Sequence, residues 1–179
     1  MSESTLQIQE YFESYVPDLI EGYLAQEPIP EMEGTSFTSL VTLEGEKSLS
    51  FGMTIDDAKE ITVQQGALTN PMISVTIPED VIGHVTKQIS GLTGRKQYQA
   101  VSKAKGTLTL EMSMPDDWVL PVTITFNGAT EPKATMSGPA EVLAKVMTGE
   151  LQGPKAFMEG KIKITGDMMF LMSLANLIV

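Results

Sequence analysis

Apolar residues between positions 5 and 26 recur at helical spacing. Ile8, Tyr11, Phe12, Tyr15, Val16, Leu19, Ile20, Tyr23 and Leu24 fall on one face, which predicts an amphipathic helix with Ser4 as its N-cap. Pro17 sits inside the pattern. A residue without a backbone donor must kink the helix there or begin a second one. Residues 27–34 (EPIPEMEG) hold two prolines and a glycine and read as a linker.

Beyond the linker the period changes to two. Leu49, Phe51, Met53 and Ile55 alternate with Ser48, Ser50, Gly52 and Thr54, a strand with one buried face. Leu40, Val41 and Leu43 lead into it through Glu44-Gly45-Glu46, which predicts a hairpin. Shorter alternations stand at Ile61/Val63, Ile73/Val75/Ile77, Leu108/Leu110/Met112/Met114 and Val122/Ile124/Phe126. Pro115-Asp116-Asp117 separates the last two, and Asn127-Gly128 is a strong turn signal after Phe126.

Helical spacing returns from Pro78 to Gly91, with Val81, Ile82, Val85 and Ile89 on one face. It returns again from Pro139 to Gly149, with Val142, Leu143, Val146 and Met147. Both stretches open with proline and close with glycine, as helix termini prefer. One-sided strands mixed with amphipathic helices predict an α+β fold with a mainly antiparallel sheet covered by helices.

The 179 residues allow one compact domain or two small ones at roughly 100–200 residues each. With no cysteine, disulfides, thiolate metal sites and a cysteine nucleophile are excluded; one histidine excludes a site built on two imidazoles. A net charge of −11 opposes a nucleic-acid partner. That charge is uneven: ten acids precede the first base, Lys47, whereas Lys87, Arg95, Lys96, Lys103 and Lys105 cluster. Two readings stay open, solvated surface or an acidic and a basic face, the latter suited to transient contact with an anionic membrane surface. No basic stretch followed by an apolar core opens the chain, so no leader is expected and a cytoplasmic location is. The longest apolar run, Met168–Val179, would span about 18 Å as a helix, short of a ~30 Å hydrocarbon core.

Groups for chemistry are sparse. His84 falls on the polar side of its helix, and Asp56-Asp57 and Asp116-Asp117 stand where turns are needed. Gly91-Leu92-Thr93-Gly94-Arg95-Lys96 has the outline of a nucleic-acid clamp without the aromatics for stacking. Trp118, beside a turn, reads as a sheet-edge or core anchor. No phosphate-loop or dinucleotide motif is present. No catalytic residue, metal site or cofactor is predicted, and the chain does not read as an enzyme.

Ala156-Phe157-Met158-Glu159-Gly160-Lys161-Ile162-Lys163-Ile164-Thr165-Gly166-Asp167 resembles the sterol carrier protein domain family. Ala134-Thr135-Met136, followed by Val142 to Gly149, resembles that family's strand-then-helix step, and the likeness covers about 106–179. Glu150 departs from the lysine common after that helix. The resemblance implies a five-stranded antiparallel sheet with helices enclosing an apolar lipid tunnel, and lipid binding or transfer without catalysis. Asn70 to Ile82 resembles the same strand-then-helix step. Thus 35–179 reads as a sterol-carrier-like domain after an N-terminal segment, 1–34, and two readings stay open for 38–114 and 106–179: degenerate copies sharing a strand, or a coincidence of generic αβ patterning.

The C-terminal third is rich in methionine, at 147, 158, 168, 169 and 172. Methionine is flexible and suits surfaces that accept varied apolar shapes. A helix from Met168 to Val179 is apolar nearly all round, so it fills a core, packs on another chain or borders a cavity. The resemblance favours the cavity, with Met168, Met169, Phe170, Met172, Leu174 and Leu177 lining it alongside Val142, Leu143, Val146, Met147 and Phe157. The leading expectation is a soluble lipid carrier. At ~0.8 kcal/mol per buried CH₂, a long acyl chain offers on the order of 10 kcal/mol before ordering costs. The alternatives are a ligand-free interaction or dimerisation module, and an accessory domain presenting an apolar substrate to a partner enzyme.

Overall fold

The structure, a computed structural model, describes residues 8–45, 48–79, 94–115 and 117–174. A helix entered at Ile8 widens into a π-turn at Tyr11–Tyr15 and continues as α1 (Val16–Gln26). The widening lies where Pro17 is expected to disturb the helix. Proline has no N–H to give to the turn before it, and just upstream the Val16 N–H bonds Tyr11 O, five residues back. Ser4 and the Pro78–Gly91 pattern from Asp80 onward, with His84, lie outside the described residues.

Four strands follow: β1 (Ser36–Glu44), β2 (Leu49–Asp56), β3 (Glu60–Gln65) and β4 (Ile73–Pro78). Then come α2 (Arg95–Lys103), β5 (Gly106–Ser113), β6 (Val119–Phe126) and β7 (Lys133–Pro139). The chain continues through α3 (Ala140–Met147), α4 (Gly153–Met158), β8 (Lys163–Gly166) and α5 (Met168–Leu174). The eight strands of the described residues form one sheet in the order β3-β2-β1-β4-β6-β5-β7-β8. Five of the seven pairings are antiparallel; β1/β4 and β5/β7 are parallel. The fold is α+β, as its sequence pattern predicts, but the sheet has eight strands where the resemblance implies five.

Register divides the sheet into two unlike faces. Phe51, Val41, Val75, Ile124, Leu108 and Ala134 stand side by side across six strands. Phe12 of the N-terminal helix stacks on Phe51 with ring centroids 4.4 Å apart, so this is the helix-covered face. Phe12 and Val16 share one core with Leu43, Ile77, Leu110, Val122, Leu143 and Phe170. The opposite face carries an unbroken row of seven hydroxyl residues: Ser50, Thr42, Thr76, Thr123, Thr109, Thr135 and Thr165. Threonine suits this place, since its branched Cβ packs on a pleated surface while its hydroxyl stays wet.

The parallel pairs have matching ends. Pro78 stands opposite Glu44, the last residue of β1, and Pro139 stands opposite Ser113, the last of β5. The strand common to the two sequence stretches, β5, does not touch β4, because β6 lies between them. The Asn127-Gly128 turn ends β6 without forming a hairpin to β7, which pairs with β5 instead. The Asn127 side chain donates to the Val101 and Ala104 carbonyls at 2.9 and 2.8 Å, closing the C-terminal end of α2.

Candidate functional site

The apolar residues singled out in the C-terminal third come from three short helices that follow β7 and β8. Pro139 is the N-cap of α3, and Gly149 ends it with a positive φ of 77°. There the Leu151 N–H reaches back to the Lys145 carbonyl at 2.9 Å, a closure that glycine permits without steric cost. Leu143 and Val146 are fully packed, Val142 is half-buried and Met147 is exposed. In α4, Ala156 is buried whereas Phe157 and Met158 are exposed.

Asp167 starts α5. Its carboxylate accepts the Phe170 N–H at 2.8 Å, and its own N–H donates to the Lys133 carbonyl of β7 at 2.8 Å. An acceptor just ahead of the first turn satisfies a free helix N–H and fixes the direction of the segment. Phe170, Leu171 and Leu174 then face the sheet, and Phe170 meets Phe126 edge-on at 6.3 Å. Met168, Met169 and Met172 lie on the other side, 41%, 77% and 60% exposed. The residues named from sequence therefore divide: Leu143, Val146, Phe170 and Leu174 are core, while Met147, Phe157, Met168, Met169 and Met172 are exposed apolar surface. Leu177 lies outside the described residues. Sequence reasoning missed Leu171, Ala156 and Ile162, which are buried as well; the i, i+1, i+4 spacing of 170, 171 and 174 is the signal for the first.

The basic cluster also divides. Lys96, Lys103 and Lys105 are exposed, and Lys87 lies outside the described residues. Arg95 is exposed as well. Its Nη1 donates to the Glu31 and Glu33 carbonyls at 2.6 and 3.2 Å, tying α2 to the linker. Asp57, expected only as a turn former, holds the same linker by accepting the Gly34 N–H at 2.7 Å.

Where a titration departs from the ordinary, the cause is a surface partner. The Lys145 ammonium bonded to Glu141 lowers that carboxyl's pKa, and Glu141 in turn raises that of Lys145. Lys161 lowers the pKa of Glu159, and a hydrogen bond with Glu27 raises that of Tyr23. Among the described residues no group of three acidic or imidazole side chains is placed to hold a metal ion, and no helix is long and apolar enough to cross a membrane.

The chain belongs to the SCP-2 sterol transfer family, whose model matches residues 86–179. It is 25% identical over 118 residues to peroxisomal multifunctional enzyme A of Dictyostelium discoideum. That alignment takes in 61% of this chain and 27% of the relative, so the chain spans about a quarter of that relative's length. Among solved structures, sterol carrier protein domain 2 of Helicoverpa armigera is 22% identical, with 54% of this chain and 84% of that one covered and a TM-score of 0.37. Palmitated SCP2L2 from Aedes aegypti is 13% identical, with 90% and 88% covered and a TM-score of 0.25. The family is one of lipid-binding and lipid-transfer domains rather than of catalysts.

Proposed function

We propose that this chain is a carrier for a long-chain apolar molecule, held by burial rather than by any reacting group. The observation that carries the reading is the two-sidedness of α5. Phe170, Leu171 and Leu174 anchor it in the core while Met168, Met169 and Met172 leave a flexible apolar surface, and Met147 and Phe157 are exposed on α3 and α4. Large exposed apolar side chains suit the reception of a ligand or partner, and methionine adapts to chains of different shape. Val142, Leu143, Val146, Phe170 and Leu174 form the floor of this site, with the methionines and Phe157 at its rim and Leu177 as the continuation of the run. Family membership supports the class of ligand, and fatty acids, acyl conjugates and sterols all fit the chemistry. Residues 38–114 and 106–179 are taken as two copies of one unit, a reading supported by the matched ends of the β1/β4 and β5/β7 pairs. We place the protein in the cytoplasm and assign it no catalytic, metal or cofactor site.

A second reading has one observation in its favour: the relative in Dictyostelium is named a multifunctional enzyme of which this chain matches a part. On that reading the domain presents an apolar substrate to a catalytic partner. Native mass spectrometry of the purified chain separates the readings. A co-purifying lipid of one chain length class is expected. A bare dimer would overturn the carrier reading in favour of an interaction module, and a bare monomer that takes up no added fatty acid would favour neither ligand nor carrier.

A further inference from the structure

Sulfur is unevenly placed between the inside and the outside of the protein. Of the described methionines, Met32 and Met136 are buried, at 3% and 7% exposure, and Met53, Met72, Met112 and Met114 are half-buried. The exposed ones all fall in residues 147–172. Met147 ends α3, Met158 ends α4, and Met168, Met169 and Met172 lie on α5. Met158 is 85% exposed and Met169 is 77% exposed. The chain has no cysteine, so no thiol competes with these thioethers for an oxidant.

In α5 the sulfur and the anchor are kept apart. Phe170, Leu171 and Leu174 are buried, and the Asp167 carboxylate holds the first turn through the Phe170 N–H. Met168, Met169 and Met172, at i, i+1 and i+4, lie on the solvent side. A chemical change at those three sulfurs alters the outer surface of the helix and leaves its seat on the sheet in place. The same change at Met136, in the core and opposite Leu110 of β5, would put an unpaired polar group inside it. Leucine would make the outer side of α5 as apolar; only a thioether makes it convertible to a polar one.

We propose that Met168, Met169 and Met172 are a modification site for a peroxide, and that their oxidation lowers the hold on the apolar ligand. The sulfur lone pair attacks one peroxide oxygen. An S–O bond forms, the O–O bond breaks, and the departing oxygen takes the proton of the attacked one, leaving as water or an alcohol. Sulfur gives up two electrons and the peroxide gains them. The product is a sulfoxide, which dedicated reductases return to the thioether. A pliable apolar surface thus becomes polar while the core stays as it was. The inference rests on the carrier reading and adds its regulation.

The test treats the full chain with hydrogen peroxide, removes the excess, and follows a dansyl-labelled fatty acid by fluorescence. Peptide mass mapping should find added oxygen first at Met158 and Met169, then at Met172, Met168 and Met147, and last at Met32 and Met136. Oxidation of the α5 methionines should weaken probe binding by about tenfold with circular dichroism unchanged. Methionine sulfoxide reductases A and B, which take one sulfoxide epimer each, should restore it. A chain carrying Met168→Leu, Met169→Leu and Met172→Leu should bind the probe like the parent and keep doing so after peroxide. Probe binding unchanged with all three sulfurs oxidised would overturn the proposal and leave the carrier reading intact. An equal loss in the leucine chain would do the same, since the effect would then come from another sulfur. Oxygen gained at Met32 and Met136 as early as at Met169 would also sink it, by tracing the loss to an opened core. A parent chain that takes up no probe before any peroxide would overturn the carrier reading along with it.

Discussion

The ring of Phe170 occupies the space beside Gly106 that a side chain there would need. A Cβ at position 106 would stand 2.8 Å from the ring and 2.6 Å from the Pro132 carbonyl oxygen. Gly106 opens β5 with a φ of 130°, and Phe170 is the buried centre of α5. The strand thus gives up a side chain so that the last described helix can seat its aromatic anchor on the sheet, close to Phe126.

Replacing Gly106 with alanine should therefore cost on the order of 3 kcal/mol, from backbone strain and overpacking together. Urea denaturation would read this as a lower midpoint at unchanged slope. Adding Phe170→Leu should cost less than the sum of the two single changes, since the smaller side chain relieves the clash. A Gly106→Ala midpoint matching the parent would show that the helix shifts freely, and that its seat is not fixed by this contact.

Much of the architecture is legible in the residues, and the rest is not for identifiable reasons. Period-two runs such as Leu49/Phe51/Met53/Ile55 mark strands because the apolar side chains gather on one face of the sheet. The strand partners are different: nothing local says that β6 passes between β4 and β5, since hydrogen bonds between distant strands leave no mark on either sequence. Asn127-Gly128 signals a turn, yet whether a hairpin follows is decided by what the next strand finds, and β7 finds β5. The site was half legible. A run apolar on all sides, Met168–Leu174, tells that several surfaces are engaged but not which residues face inward. That choice follows from Asp167, whose cap fixes the start of the helix.

The hold of Arg95 on the linker gives a second expectation. Arg95→Ala removes both hydrogen bonds to the Glu31 and Glu33 carbonyls, a loss of about 1 kcal/mol at this exposed site. Limited proteolysis should then cut within 27–35 faster than in the parent, while Lys96→Ala should leave the rate unchanged. Equal cleavage in all three chains would mean that Asp57, through the Gly34 N–H, holds the linker alone.

Glu141 and Lys145 pair across one helical turn at 2.6 Å on the solvent side of α3. The hydrogen bond comes first and the charge attraction second in lowering the Glu141 pKa and raising that of Lys145. A depressed carboxyl contributes stability above its unfolded pKa and loses it as pH falls through the folded value. A raised ammonium contributes below its unfolded pKa and loses it as pH rises through the folded value. The pair should thus support α3 from the weakly acidic range to the alkaline limit of lysine, and salt should weaken it. By NMR, Glu141 should titrate below the ordinary glutamate value in the parent and move up in Lys145→Met. An unmoved Glu141 would leave the helix terminus, not the lysine, as the cause.

On the proposed carrier reading, a chain of net charge −11 must still meet a bilayer to load or unload. As a whole the chain is repelled by anionic lipid, so approach must use a local cationic surface. Lys96 and Lys103 on α2 and Lys105 just after it are exposed, and Arg95 is engaged with the linker. Each base near an anionic surface is worth ~1 kcal/mol, fading within a Debye length of about 8 Å at physiological salt. Transfer of a fluorescent fatty acid to vesicles should speed up as phosphatidylserine is added and slow as salt is raised. Reversing Lys96, Lys103 and Lys105 to glutamate should remove both dependences without changing ligand affinity, because none of the three faces the apolar surfaces described above. Reversing Arg95 should instead loosen the linker and so confuse binding with folding, so the reversal is confined to these three. Transfer rates indifferent to lipid charge, salt and the triple reversal would reduce the cluster to solvated surface.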